Sequence, residues 1–260
     1  MMHQILHRAA QYLAAGGISL LEHQKDDSHT SMKWDPVLKA MVGCTLNTEK
    51  GIRMALDYRH YALTFIDAFS NTISAKILEG TRHDTILSWI VSELKRFGVP
   101  GKYDYAFHYD LPYQPMTDHF VFPPPDPEET GRLIKMRTTA QEALQIVLRN
   151  EEGASPIRVW PHHFDTGALI EIRKDTHDTS GKSIGLGLSI PDGMVASFYY
   201  YTSGYTPQGQ LALDYTPGLP YGEWRSGVWN GAVLKINGVG AYEIVRFLNA
   251  GIQLIREHMH

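Results

Sequence analysis

Apolar residues recur at helical spacing in four stretches of the chain, and the stretches between them shift toward alternation. Near the start, Ile5, Ala9, Tyr12 and Leu13 share one face, and the pair Gly16-Gly17 predicts a stop. A second helix is predicted from Thr81, a good N-cap with Asp84 placed to return the hydrogen bond. It runs through Ile86, Leu87, Ile90, Val91, Leu94 and Phe97 to Gly98 and Pro100. A third opens with Asp126 as cap, Pro127 at the first helical position, and Glu128 and Glu129 at the positive dipole end. Its buried stripe is predicted at Leu133, Met136, Ala140, Leu144, Val147 and Leu148, with Gly153 beyond. The fourth begins near Gly240 and turns Ile244, Val245, Leu248, Ile252 and Ile255 inward.

The alternating segments read as strands at 52–58, 61–67, 72–78, 157–160, 168–172, 184–190, 197–202 and 232–236. The run Gly185-Leu186-Gly187-Leu188 suits a strand face set against another backbone. Strands come in runs, each followed by a helix, which favours an α+β fold with mainly antiparallel strands. Two halves resemble one another, at about 1–100 and 154–260. Each closes through a Lys-bearing strand, a glycine turn and a helix: Ile73 to Gly80 in one, Gly231 to Gly238 in the other. Trp34 with Asp35 and Trp160 with Asp165 stand upstream in each, so internal duplication is expected. The crossover and helix at 101–153 join the halves into one cooperative unit, 1–260. Tyr105, Phe107, Tyr109, Tyr113, Phe120 and Phe122, set among Pro112, Pro115 and Pro123 to Pro125, mark the crossover as an extended segment packed over the core, able to wall a pocket.

Charge narrows the partners. A net charge of −4 argues against non-specific nucleic-acid binding, though not against a small anionic ligand. The one cysteine, Cys44, cannot form an internal disulfide and reads as a small apolar residue. His3, His7, Arg8 and Gln11 interrupt the first apolar stretch, so neither a signal peptide nor a membrane span is expected, and a cytoplasmic location is the default.

No phosphate loop, paired Cys-x-x-Cys, His-Glu-x-x-His or Gly-x-Ser-x-Gly is present, which leaves nucleotide, zinc-protease and serine-hydrolase chemistry without a motif. The most unusual cluster is Trp160-Pro161-His162-His163-Phe164-Asp165. Pro161 stops the strand pairing, which puts His162, His163 and Asp165 at a strand end beside a turn. On an extended chain one histidine and Asp165 share a side, which suits zinc or another divalent metal, or a proton-transfer pair, given a remote partner among His60, His108 and His119. The alternative is a histidine bonded to backbone with Asp165 capping a turn. In Phe198-Tyr199-Tyr200-Tyr201, followed by Tyr205, Tyr215 and Tyr221, one strand face fills the core and the other, with Tyr199 and Tyr201, lines a concavity or an interface. Arg53, beside the turn Tyr58-Arg59-His60-Tyr61, is either a solvated charge or an anion anchor. The terminal Glu257-His258-Met259-His260 binds metal at most adventitiously.

The element order, Phe164-Asp165 and the aromatic strand together resemble the bacterial domain-of-unknown-function family 5996. That resemblance implies this order of elements and a bacterial, cytoplasmic origin, and it carries no activity. Two functions remain as expectations. One is a small-molecule binding or interaction protein with a cleft between the halves, formed by Trp160, Tyr199, Tyr201 and Arg53, with assembly of copies also open. The other is a metal-assisted hydrolase or lyase using His162, His163 and Asp165.

Overall fold

Helical and alternating periods resolve into four α-helices and twelve strands in a computed structural model that describes residues 1–172, 181–211, 213 and 217–259. Tyr215 and His260 lie outside the described residues. The strands pair antiparallel throughout these residues, as the α+β expectation has it. The chain divides into two compact units, Met1–Thr138 with Val159–Phe164, and Thr139–Arg158 with Asp165–His260. The boundary differs from the expected halves: the aromatic crossover belongs wholly to the first unit, and the third helix is divided within its length.

In the first unit, α1 (Met2–Leu20) is buried nearly all round. It packs on the strands along one side, and Tyr103, Tyr105 and Tyr109 of the crossover contact its Tyr12 and Gln11. An apolar helix covered on both sides has no solvent face to keep polar, which blurs its pattern. The expected stop at Gly16-Gly17 is overturned: the helix runs through both glycines. A Cβ on Gly17 would lie 2.1 Å from the His29 carbonyl oxygen, so this glycine serves close approach to the 3₁₀ turn Ser28–Thr30.

Strands β1 (Met32–Asp35), β2 (Ala40–Asn47), β3 (Ile52–Asp57), β4 (Ala62–Ile66) and β5 (Thr72–Ile77) follow as a meander in chain order. β1 and β2 were not expected from the sequence. Asp35, Asp57 and Asp67 accept backbone N–H groups within the connecting turns, as turn-forming Asp residues do. Phe65 on β4 meets Trp89 and Phe97 of α2 (His83–Phe97), which ends at Gly98 with φ 70° as the sequence predicts. Its start differs. Thr81 turns its hydroxyl back to the Ile77 carbonyl and caps nothing. The first amides of α2 are met instead by the crossover: His83 N–H donates to Phe120 O at 2.9 Å and Asp84 N–H to Asp118 O at 3.2 Å. α3 (Pro127–Leu148) opens as expected, with Asp126 Oδ1 accepting the amides of Glu128 and Glu129 at 3.0 Å each. The short β6 (Arg158–Val159) meets β1 through Val159 and Met32.

In the second unit, β7 (Thr166–Ile172), β8 (Lys182–Ser189) and β9 (Tyr199–Thr206) form a meander, with β10 (Gly209–Gln210) folded onto β9. β12 (Gly231–Lys235) pairs with β9 and carries β11 (Glu223–Arg225) on its other side. α4 (Ala241–His258) packs on β8, β9 and β12 with Ile244, Leu248, Ile252 and Ile255 buried. Gly167 and Gly187 face each other across β7 and β8, and a Cβ on either would come within 3.0 Å of the Tyr201 hydroxyl. Gly167 and Gly187 thus make the groove in which the Tyr201 hydroxyl lies, while Gly185 faces Ser203 and Tyr205. Connectivity separates the units: the strand before the helix is the edge strand β5 in one and the interior strand β12 in the other. Among the described residues no helix is long and apolar enough to cross a membrane.

Candidate functional site

The crossover carries the site. From Lys102 to Gln114 its residues alternate between exposed and enclosed, although no ladder pairs them. An extended backbone sends alternate side chains to one side, so Tyr103, Tyr105, Phe107, Tyr109 and Tyr113 all turn inward. Successive rings touch: Tyr105 and Phe107 at 4.8 Å between centroids, Phe107 and Tyr109 at 5.4 Å. The Pro residues keep the segment extended and withhold the amides that another strand would need.

α1 supplies the polar floor on successive turns. His7 Nε2–H donates to the Pro161 carbonyl at 2.6 Å, and Gln11 Nε2–H donates to the same oxygen at 2.9 Å. Gln11 Oε1 accepts from the Tyr109 hydroxyl at 2.8 Å, tying the crossover to the helix. The His7 ring stacks on Phe164 at 4.4 Å and meets Tyr113 edge-on. Burial pushes the His7 imidazole down to about 3, so it is neutral in this setting. Its Nδ1 and the Tyr113 hydroxyl are both buried with no hydrogen-bond partner among the described residues.

Arg8, one residue on, points out of this network into a pocket of about 400 Å³ walled by Tyr105, Phe107, Tyr109, Tyr113 and Met116. Its guanidinium lies 4.5 Å from the centre of the Tyr113 ring and donates one hydrogen bond, to the Gln114 carbonyl at 2.7 Å. No carboxylate pairs with it among the described residues. Burial raises the Tyr105, Tyr109 and Tyr113 hydroxyls above their usual range, so all three stay protonated. The walls therefore offer one cation, the Tyr105 phenol and flat apolar surfaces, with the Asp110 carboxylate among them, while the Tyr109 hydroxyl is engaged by Gln11 and that of Tyr113 is buried. A second pocket, of about 710 Å³, shares Tyr105 and Met116 and is bounded by His83, Asp104 and Asp118. There the Tyr12 hydroxyl and His83 Nδ1 share a 2.6 Å hydrogen bond.

The residues singled out by sequence are placed elsewhere. Phe164 N–H donates to Trp160 O at 2.7 Å, so the segment from Trp160 to Phe164 is a turn. A turn at this strand end is as expected, but the alternation is not met: His162 and His163 lie within the turn and do not point to opposite faces, and their rings lie together at 4.3 Å. The rings of His162 and Tyr109 are 5.8 Å apart. No third His, Cys, Asp or Glu stands close enough to that pair to share an ion among the described residues. Asp165, in the second unit, accepts the Tyr201 hydroxyl on Oδ2 at 2.6 Å. Tyr199 donates to Asp192 at 2.5 Å, and Arg53 donates to the Asp67 carbonyl and Ser70, closing the turn between β4 and β5. Trp160, Tyr199, Tyr201 and Arg53 line neither pocket. Of the remote histidines, His60 bonds Asp57 in an exposed turn and His119 accepts from Arg82, while His108 faces Asp27. Arg137 was missed: only 2% exposed, it donates to the Phe164 carbonyl at 2.7 Å and lies 4.5 Å from that ring. Its helical spacing from Leu133 and Ala140 is the signal that puts it on the buried face.

No known family, curated protein or solved structure matches this chain.

Proposed function

We propose that the protein binds a small organic anion with a flat apolar body, held in the aromatic pocket of the first unit. The observation that carries the reading is Arg8: a half-buried guanidinium, with no carboxylate partner, set over Tyr113 at the wall of a pocket lined largely by aromatic and aliphatic side chains, with Asp110 the carboxylate in that lining. Pocket size falls within the range of small-ligand sites, roughly 300–1,000 Å³. A carboxylate on the guanidinium would form charge-assisted hydrogen bonds, and an aromatic body would stack on the crossover rings. Binding is favoured over catalysis because the walls hold protonated phenols, no imidazole and a single carboxylate, Asp110, without a second acid or base beside it in the lining. The metal-assisted hydrolase or lyase reading of His162, His163 and Asp165 has the adjacency of the two rings in its support and lacks a third ligand.

The test is calorimetric titration with a panel of aromatic carboxylates and their uncharged amides. The carboxylates are expected to bind and the amides to bind at least about tenfold more weakly, since a charged hydrogen bond contributes roughly 1.5–3 kcal/mol. Arg8→Met should remove that preference and Arg8→Lys restore part of it. Equal affinity of the wild type and Arg8→Met for every carboxylate would sink the reading.

A further inference from the structure

A second cluster in the first unit stands apart from the pocket walls. His23, Asp27 and His29 each offer a ligand atom, and these atoms all lie within 4.8 Å of one another. Among the described residues this is the group of three that can hold an ion. The three come from the loop after α1 and from the 3₁₀ turn that follows it. Asp27 sits in the left-handed region at φ 56°, and its carbonyl accepts both the amide and the hydroxyl of Thr30, which fixes the turn. His29 is buried, and Gly17 of α1 lies against its carbonyl, so the turn is seated tightly on the helix. The rings of His23 and His29 are 5.0 Å apart. The carboxylate of Asp27 faces two imidazoles at once: Oδ1 is 3.9 Å from His23 Nε2, and Oδ2 is 3.1 Å from His108 Nε2.

We propose that His23, Asp27 and His29 form a transition-metal site of the zinc class, toward which His108 of the crossover, standing against Asp27 outside the group of three, would turn as fourth ligand. Three imidazoles and one carboxylate are the donor set of a borderline-soft divalent ion, and a hard oxygen-seeking cation such as Mg²⁺ would not select it. Donors around a tetrahedral zinc lie roughly 3.3 Å apart, given metal–ligand bonds of about 2.0–2.1 Å. The three cluster atoms, within 4.8 Å of one another, therefore stand close to that spacing; exposed His23 is placed to turn inward, and buried His29, whose Nδ1 accepts the Gln24 amide at 3.2 Å, is the more fixed of the two imidazoles. Because His108 precedes Tyr109, whose hydroxyl bonds Gln11, the ion would pin the crossover to the turn beside α1. The site thus adds a metal-held brace next to the proposed binding pocket and does not depend on that pocket having a ligand.

The experiment is titration of tag-free protein with Zn²⁺, in a His258→Ala/His260→Ala background that removes the terminal histidines, together with the visible spectrum of the Co²⁺ form. One equivalent is expected to bind, with the intense bands of four-coordinate Co²⁺. His23→Ala and Asp27→Asn should each weaken binding by about tenfold or more, and His108→Ala should change the Co²⁺ coordination. Arg8→Met should leave all of this unchanged, which separates the metal site from the anion reading. The proposal is overturned if no stoichiometric binding occurs, if His23→Ala and Asp27→Asn bind as tightly as the background, or if only His162→Ala/His163→Ala removes the ion.

Discussion

One hydroxyl separates Tyr201 from phenylalanine, and here that hydroxyl is the partner of a buried carboxylate. Asp165 is 8% exposed, its Oδ2 accepts from Tyr201, and its Oδ1 has no partner among the described residues. Tyr201→Phe keeps the ring over Gly167 and Gly187 and leaves the carboxylate without its donor. Denaturant unfolding should show a loss of roughly 1.5–3 kcal/mol, the range for a hydrogen bond to a charged group. Asp165→Asn, which keeps an acceptor, should cost less; an unchanged midpoint for Tyr201→Phe would refute the pairing. The two-faced character of the aromatic strand was legible from alternation, and buried Tyr200 fits it. The fate of the second face was not, because each tyrosine's outlet is a carboxylate on another segment: Asp165 for Tyr201, Asp192 for Tyr199. Local pattern reports which way a side chain points, and only the fold reports what it meets.

Helix ends show the same limit one scale up. Where the cap is local, sequence and structure agree: Asp126 binds the first amides of α3, and Gly98 ends α2. Where a distant segment provides the partner, the local signal misleads, as at Thr81, whose capping role is taken by the carbonyls of Asp118 and Phe120. The two glycines of α1 give a paired test. A Cβ on Gly16 would meet Met54 Sδ at 3.5 Å, an ordinary contact, whereas on Gly17 it would meet the His29 carbonyl at 2.1 Å. Gly16→Ala should therefore stabilise, by up to about 1 kcal/mol from helix propensity. Gly17→Ala should destabilise by about 1–3 kcal/mol, the range for overpacking, since backbone must move to admit the methyl. Thermal unfolding of the two variants measures both, and shifts of the same sign would contradict the close seating of Gly17 on the His29 carbonyl. The pocket was legible only in part: the inward alternation of crossover aromatics is in the sequence, but the choice of Arg8 over Arg53 as its cation follows from α1 lying beneath the crossover.

At the scale of the molecule the two units differ in how they hold their histidines. The first encloses His3, His7 and His83, and burial holds each imidazole below its ordinary value of 6.5, His7 down to about 3. Around His7 the nearby groups Arg137, His3 and His162 lower it further, and the bond to Pro161 opposes them. Glu129 opposes the effect at His3, and Asp118 and Asp84 oppose it at His83. In the second unit the described histidine, His258, is exposed. A group whose folded value lies below its unfolded one leaves the unfolded chain binding more protons between the two values. Stability from His7 is thus fully present above about pH 6.5 and is lost as pH falls toward about 3. Acidification from pH 7 to 5 should accordingly weaken the first unit more than the second. Hydrogen exchange followed by mass spectrometry, corrected for intrinsic rates, should show protection falling along α1 and the crossover while β7 to β9 hold. His7→Gln, which keeps a neutral donor toward Pro161, should flatten the response of the first unit. Equal loss of protection in both units, or an unaltered response in His7→Gln, would mean that the buried imidazoles do not govern the acid sensitivity of this fold.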